Sequence, residues 1–377
     1  MKSIFLDYNS TTPVDKHVLD AMLPYFSGVF GNAASKTHSF GWAAAEAVKL
    51  AREQVAKFIG AGESEIVFTS GATESINLAI KGVAESYNTI GRHIVVAATE
   101  HKAVLDSCQH LSRNGYEITK LSVLPDGLID ASQLKDMIRK DTILVCIMLA
   151  NNETGVIQDT MRMSEIVHQQ GALLFVDATQ ACGKIAVDVN ECGADLLCLS
   201  AHKMYGPKGT GALYIRRKNP RVRITSQMDG GGHENNLRSG TQNVAGIVGL
   251  GHACSLSEEV RWNEAAHMSL LRTKLEQAFL AGGKVSINGN AKNRLPNTSN
   301  LCFHHLKAER LITQVPFVAV ATGSACTSAL PEASHVLKAM GLSEQDAHSS
   351  LRFSLGRFTT EEEIDIVIDA YGKAISV

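Results

Sequence analysis

Residues 195–211 read DLLCLSAHKMYGPKGTG. A short apolar run is followed at once by serine, histidine and lysine, and then by a glycine-rich turn. A run of that length bounded by turn residues reads as a buried strand. Four other segments end alike: IVFT leads into SGATES, HIVVAA into TEHK, TILVCIMLA into NNETG, and ALLFV into DATQ. Helix-forming stretches separate the runs, which is the pattern of an α/β fold with a mostly parallel sheet covered by helices. In open sheets of this kind ligands bind at the carboxyl ends of the strands. The pattern therefore predicts that Thr73, His101, Asn152, Asp177, Gln180, Ser200, His202 and Lys203 converge on one crevice.

At 377 residues the chain exceeds a typical single-core domain, so a second lobe is expected. The strand–helix alternation gives way near residue 244 to a long helical stretch, then to a strand-like TSNLCFHH and a closing helical tail. We expect a large domain over 13–255 and a smaller α+β domain from 1–12 with 256–377. The segment HSFGWAAAEAVKLAREQVAKFIG (38–60) predicts a helix ending at glycine.

A net charge of −2 leaves no electrostatic footprint for nucleic acid. The opening MKSIFLDYNSTTP has only a three-residue apolar run before Asp7, so it predicts neither a signal segment nor a membrane span, and a cytoplasmic location is expected. The eight cysteines form no CxxC pair and imply no disulfide or zinc framework. Cys146, Cys198 and Cys302 lie in apolar runs and read as inert core thiols. Cys326 differs, because ATGSACTSAL (321–330) surrounds it with small and polar residues. His304 and His305 adjoin on a strand-like run, which would point them to opposite faces; no acidic or cysteine partner has ligand spacing, so no metal is assigned.

A lysine directly after a buried strand is a surface residue or a nucleophile. Desolvation and a neighbouring cation such as His202 would lower the pKa of Lys203 and suit its amine to carbonyl chemistry. Lys208 is a rival, but its flanking glycines suit a turn. Asp177 ends the preceding strand; it is either a helix cap or the acid that keeps the ring nitrogen of pyridoxal phosphate protonated. SGATES would place Gly71, Ala72 and Thr73 at a helix N-terminus, either as a plain cap or as a phosphate site. His101 is placed to stack on a ring and move protons. No phosphate-loop or dinucleotide fingerprint occurs.

With these residues in place, the chain closely resembles the cysteine desulfurases of the NifS/IscS type. LDYNSTTP, FTSGATESINLAIKG, TEHKAVLD, NNETG, VDATQ, SAHKMYGPKGTGALY, LRSGT, GSACTS and SSLRFSLGRFTTEEEID are similar to that family's segments, in the same order. The resemblance implies the aspartate aminotransferase-like fold (pyridoxal phosphate fold type I), pyridoxal 5'-phosphate as cofactor and L-cysteine as substrate. It implies that Lys203 binds the cofactor, Asp177 pairs with its ring nitrogen, Gln180 with its phenolic oxygen, and His101 stacks on the ring. Thr73, Ser200 and His202 would hold the phosphate, with Thr241 reaching the partner subunit's phosphate in a homodimer. Arg352 and Asn152 would hold the substrate carboxylate, and Cys326 would carry the sulfur as a persulfide to an acceptor protein serving iron-sulfur assembly, tRNA thiolation or DNA sulfur modification.

The chain departs from the family pattern in places. Asn235 and Asn236 replace an Arg-Gly pair, LKAERLITQVPF lacks an acidic-glycine element, ALPEAS rearranges the residues after the cysteine, and the tail beyond FTTEEEID is short for scaffold docking. Alternatives to the desulfurase reading are a selenocysteine lyase, an aminotransferase-like member and a non-catalytic sulfur carrier. Against these, GSACTS supplies a loop thiol that a transaminase does not need, and Lys203, Asp177, His101, Arg352 and Cys326 are all retained.

Overall fold

The computed structural model describes residues 3–322 and 333–376, so Cys326 and its neighbours lie outside the described residues. A short strand β1 (Ile4–Phe5) comes first. The main sheet contains β2 (Ile66–Thr69), β3 (His93–Ala97), β4 (Glu117–Leu121), β5 (Thr142–Met148), β6 (Leu173–Asp177), β7 (Leu196–Ser200) and β8 (Gly211–Ile215). Their order is β2-β8-β7-β6-β5-β3-β4. Only β8 is antiparallel to its neighbours β2 and β7, so β2 itself runs parallel to β7 and to the rest. All five runs read from the sequence therefore deliver their carboxyl ends to one edge.

The strands read as unbroken apolar runs because helices cover both faces of the sheet. Along β7, Leu197 and Leu199 enter one core and Leu196 and Cys198 the other. The helix Ser39–Phe58 covers one side, close to its expected span, and His38 caps it by accepting from Gly41 N at 3.2 Å.

One helix, Val244–Leu280, runs from the main lobe into the smaller one. Ile247, Leu250 and Cys254 pack into the main core, whereas Met268, Leu275 and Phe279 pack into a third core. A boundary at 255 thus falls inside a continuous helix, which is why no linker composition marks it. The smaller lobe holds β9 (Val285–Ile287), β10 (Thr298–Phe303), β11 (Val318–Ala319) and β12 (Ser350–Ser354). β10 lies between β12 and β9, antiparallel to both. Phe279, Phe303, Phe353 and Tyr371 meet there with ring centroids 5.4–6.4 Å apart.

β1 pairs in parallel with β11, and Asp7 forms a bridge with Ser354, so the start of the chain is part of the C-terminal lobe's framework. That docking carries residues 7–11 across the ligand edge of the main sheet. β10 stops at Phe303, and the chain turns at His305 with φ of +68°. The expectation that His304 and His305 alternate along one strand is therefore corrected: the strand has ended before them.

Candidate active site

At the carboxyl edge of the sheet lies a cavity of about 570 Å³. Gly71, Ala72, Thr73, His101, Asn152, Asp177, Gln180, Ser200, His202, Lys203 and Arg352 all line it. Two expected residues are not gathered there. Thr241 is exposed and does not line the cavity of its own chain. Cys326 is outside the described residues, while Thr322, just before its segment, is on the cavity wall.

Asp177 ends β6, and Lys203 closes the short turn after β7, the parallel neighbour of β6. Asp177 Oδ1 accepts from Thr179 N at 2.9 Å and from the Cys198 thiol at 3.3 Å, which leaves Oδ2 for the cavity side. Lys203 Nζ donates to the backbone carbonyls of Asn9 at 2.5 Å and Ser10 at 2.7 Å. The Asn9 carbonyl also accepts from Gln180 Nε2 at 2.9 Å. Backbone oxygens of the first dozen residues thus hold the amine that strand reasoning singled out.

The first residue of β8 has to be a glycine. A Cβ on Gly211 would lie 2.6 Å from Leu199 O and 2.7 Å from Gly71 Cα, so the start of β8 and the Gly71 loop can approach only without a side chain there. Gly71 itself sits at φ of +145° and precedes the helix Ala72–Ser86, whose start has no side-chain cap. The amides of its first turn, beside Ser200 and His202 on the cavity wall, form a ready anion site.

His202 is not the neighbouring cation expected from the sequence. Burial, reinforced by Lys203, Lys208 and Lys184, pushes its pKa down to about 4, so the ring is neutral near pH 7, with Nδ1 3.1 Å from Thr11 Oγ1. A buried amine near Lys203 is that of Lys184, which the sequence reading missed. Its Nζ donates to Gln180 O at 3.0 Å and Gln180 Oε1 at 3.1 Å, and burial brings its pKa down to about 7. His101 caps the helix Lys102–Ser112 by accepting at Nδ1 from Ala103 N at 3.1 Å. Its proton is therefore on Nε2, and burial lowers its pKa, with Lys203 and His335 acting the same way against Asp177.

Arg352 on β12 is almost fully buried. It donates from Nη1 to Asn152 O at 2.9 Å and from Nη2 to Asp7 Oδ1 at 2.6 Å. Two buried acids also escaped the sequence reading. Burial holds the Glu153 carboxyl up at about 7, and it accepts from Ser334 Oγ at 2.5 Å. Glu100, behind Asp177, is pushed well above the ordinary carboxyl range by burial and by that neighbour. Cys182, a conceivable substitute for Cys326, is fully buried, and burial raises its thiol far above the ordinary range.

A family model described as aminotransferase class-V matches residues 4–367. The cysteine desulfurase IscS of Anaeromyxobacter sp. (strain Fw109-5) is 54% identical over 366 residues, covering 97% of this chain and 90% of that protein. A NifS-like protein of known structure superposes with a TM-score of 0.92 at 37% identity, covering 99% of each chain. This chain belongs to the class V aminotransferases, among the cysteine desulfurases. A third likeness is to the structure titled SspA in complex with cysteine, with a TM-score of 0.83 at 35% identity, covering 95% of this chain and 100% of that one.

The desulfurase has the pyridoxal phosphate fold type I, and its cavity fits that cofactor on the chemistry of its donors. A primary amine (Lys203), a carboxylate oxygen with no described protein donor (Asp177 Oδ2) and an uncapped helix start are arranged around one space. Among the described residues of the desulfurase, no helix is long and apolar enough to cross a membrane.

Proposed function

We propose that this pyridoxal phosphate-dependent cysteine desulfurase takes sulfur from L-cysteine onto Cys326 and passes it to an acceptor protein in the cytoplasm. The observation that carries the reading is that Lys203, Asp177 and Arg352 border one cavity although the first two come from strand ends of the main sheet and the third from the middle of β12 in the smaller lobe. The bound cofactor supplies an electron sink for the bond changes at the substrate. Lys203 would hold it through Nζ, and the same amine would move the proton at the substrate Cα. Asp177 Oδ2 would hold a proton on the ring nitrogen, and Gln180 would donate to the phenolic oxygen. Gly71, Ala72, Thr73, Ser200 and His202 would hold the phosphate, and Thr241, exposed on its own chain, would complete that site in the partner subunit of a homodimer.

Arg352 meets the substrate carboxylate beside Asn152, since a planar guanidinium matches a carboxylate. His101 would stack on the ring, and it carries its proton at Nε2 because Nδ1 accepts from Ala103 N. The Cys326 thiolate attacks the substrate sulfur, because the thiolate is the nucleophilic form. One S–S bond forms and the substrate Cβ–Sγ bond breaks. The electron pair stays on carbon and takes a proton, so the products are L-alanine and a persulfide on Cys326.

Borohydride reduction followed by peptide mapping tests the site. The expected result is a stable adduct on the peptide carrying Lys203 and a colourless Lys203→Ala variant. An adduct on Lys208, which also borders the cavity, would overturn the assignment.

A further inference from the structure

We propose that Cys302, His304 and Asp346 form a binding site for a zinc-class divalent cation in the smaller lobe. None of the three lines the cofactor cavity. Cys302 is the penultimate residue of β10, His304 follows the strand, and Asp346 lies in the short helix Glu344–His348. Phe303 between the first two enters the aromatic core, while Cys302 Sγ and His304 Nδ1 meet each other at 3.6 Å. This corrects the expectation that His304 has no cysteine or acidic partner at ligand spacing. The partners come from residues 302 and 346, a separation that no local motif displays.

The ligand atoms are placed as a tetrahedral cation needs them. Cys302 Sγ is 3.6 Å from His304 Nδ1 and 3.7 Å from Asp346 Oδ1, and His304 Nδ1 is 3.4 Å from Asp346 Oδ1. Zinc bond lengths of about 2.3 Å to sulfur and about 2.0–2.1 Å to nitrogen and oxygen, at tetrahedral angles, separate S from N or O by about 3.6 Å and N from O by about 3.4 Å.

The outer atoms of each ligand are already held. His304 Nε2 is 3.0 Å from Ser286 Oγ, so a proton on Nε2 donated to that hydroxyl leaves the Nδ1 lone pair facing the cluster. Ser343 Oγ donates to Asp346 Oδ2 at 2.7 Å, which leaves Oδ1 as the inner oxygen. Supports of this kind fix ligand orientation around a metal. The Asp346 backbone carbonyl lies 3.6 Å from Cys302 Sγ and accepts from Ser350 Oγ at 2.7 Å, tying the helix to the next strand.

A thiolate, an imidazole and one carboxylate select zinc or cobalt over magnesium or calcium, which take oxygen ligands. Binding forms bonds from the cation to Sγ, Nδ1 and Oδ1 and releases the Cys302 thiol proton to solvent. One negative charge on each of Cys302 and Asp346 neutralises the dication. Three protein ligands leave a fourth position for water.

The test uses the full-length holoenzyme carrying Cys326→Ser, which removes the loop thiol as a competing ligand. Zinc is titrated against a chromophoric chelator, and cobalt(II) binding is read from its thiolate charge-transfer and ligand-field bands. We expect one tightly bound zinc per chain and a cobalt spectrum with a thiolate band. Affinity should fall at least about tenfold in His304→Gln and in Asp346→Asn, whose side chains are partly exposed and whose loss spares the core. In Cys302→Ser the thiolate band should vanish. The absence of stoichiometric zinc, or a cobalt spectrum without a thiolate band, would overturn the site; so would unchanged affinity in His304→Gln. The cobalt spectrum of the parent protein decides the matter even if Cys302→Ser does not fold.

Discussion

Arg352 and Asp7 stand 345 residues apart in the chain and 2.6 Å apart in space, Nη2 to Oδ1. The arginine proposed to receive the substrate carboxylate is thus oriented by a carboxylate of the protein. A guanidinium has five N–H groups, so it can serve Asp7 and Asn152 O and still present donors to a ligand. Lysine keeps the charge but not the fork. Arg352→Lys should raise KM for L-cysteine by about 10–100-fold, the worth of one or two charged hydrogen bonds. Steady-state alanine production checks this, and an unchanged KM would remove Arg352 from substrate recognition.

Asp7→Asn removes the charge opposite a guanidinium whose side chain is only 7% exposed. Removing one partner of a buried pair is costly because the other charge is left uncompensated. Some exposure of Asp7 reduces the effect, so a loss of about 2 kcal/mol is expected in urea unfolding. Stability equal to wild type would show that the pair does not contribute to the fold.

How far the site was legible follows from where its parts lie in sequence. Asp177 and Lys203 could be read because each lies at or within a few residues of the end of a short apolar run, and strands in parallel bring such ends together. The Asn9 and Ser10 carbonyls that hold Lys203 could not, since backbone oxygens leave no residue-type signal and the contact spans more than 190 residues. Lys184 resembles any lysine in a turn until the fold encloses it. Cys302 was read as a core thiol because its run is apolar; the strand ends one residue later, at Phe303, and exposes it to His304 and Asp346. The lobe boundary was hidden by a helix that belongs to both cores.

His202 gives the cofactor-free chain a defined acid sensitivity. Its folded pKa of about 4 lies below the ordinary 6.5, so between these values the unfolded chain binds a proton that the folded chain does not. The contribution is fully present above pH 6.5 and is lost as pH falls toward 4. In His202→Gln, the drop in thermal midpoint between pH 7 and pH 4.5 should be smaller than in wild type. Equal drops would assign the acid sensitivity elsewhere.

Lys184 acts in the opposite part of the pH range. With a folded pKa of about 7 against an ordinary 10.5, it disfavours folding at and below pH 7, and this penalty is relieved as pH rises toward 10.5. The difference in unfolding free energy between wild type and Lys184→Met, measured on cofactor-free protein, should therefore shift in favour of wild type from pH 7 to pH 10. A difference independent of pH would contradict a buried, proton-poor Lys184.

The central claim is that a cavity built around Lys203 delivers substrate sulfur to Cys326. Incubating the holoenzyme with sulfur-labelled L-cysteine, removing free label and counting what stays on the chain tests it directly. Wild type should retain label that a thiol reductant releases and should form alanine. Cys326→Ser should keep the yellow cofactor yet retain no label and form no alanine beyond background. Reductant-sensitive label on Cys326→Ser, with alanine formed at the wild-type rate, would contradict the account.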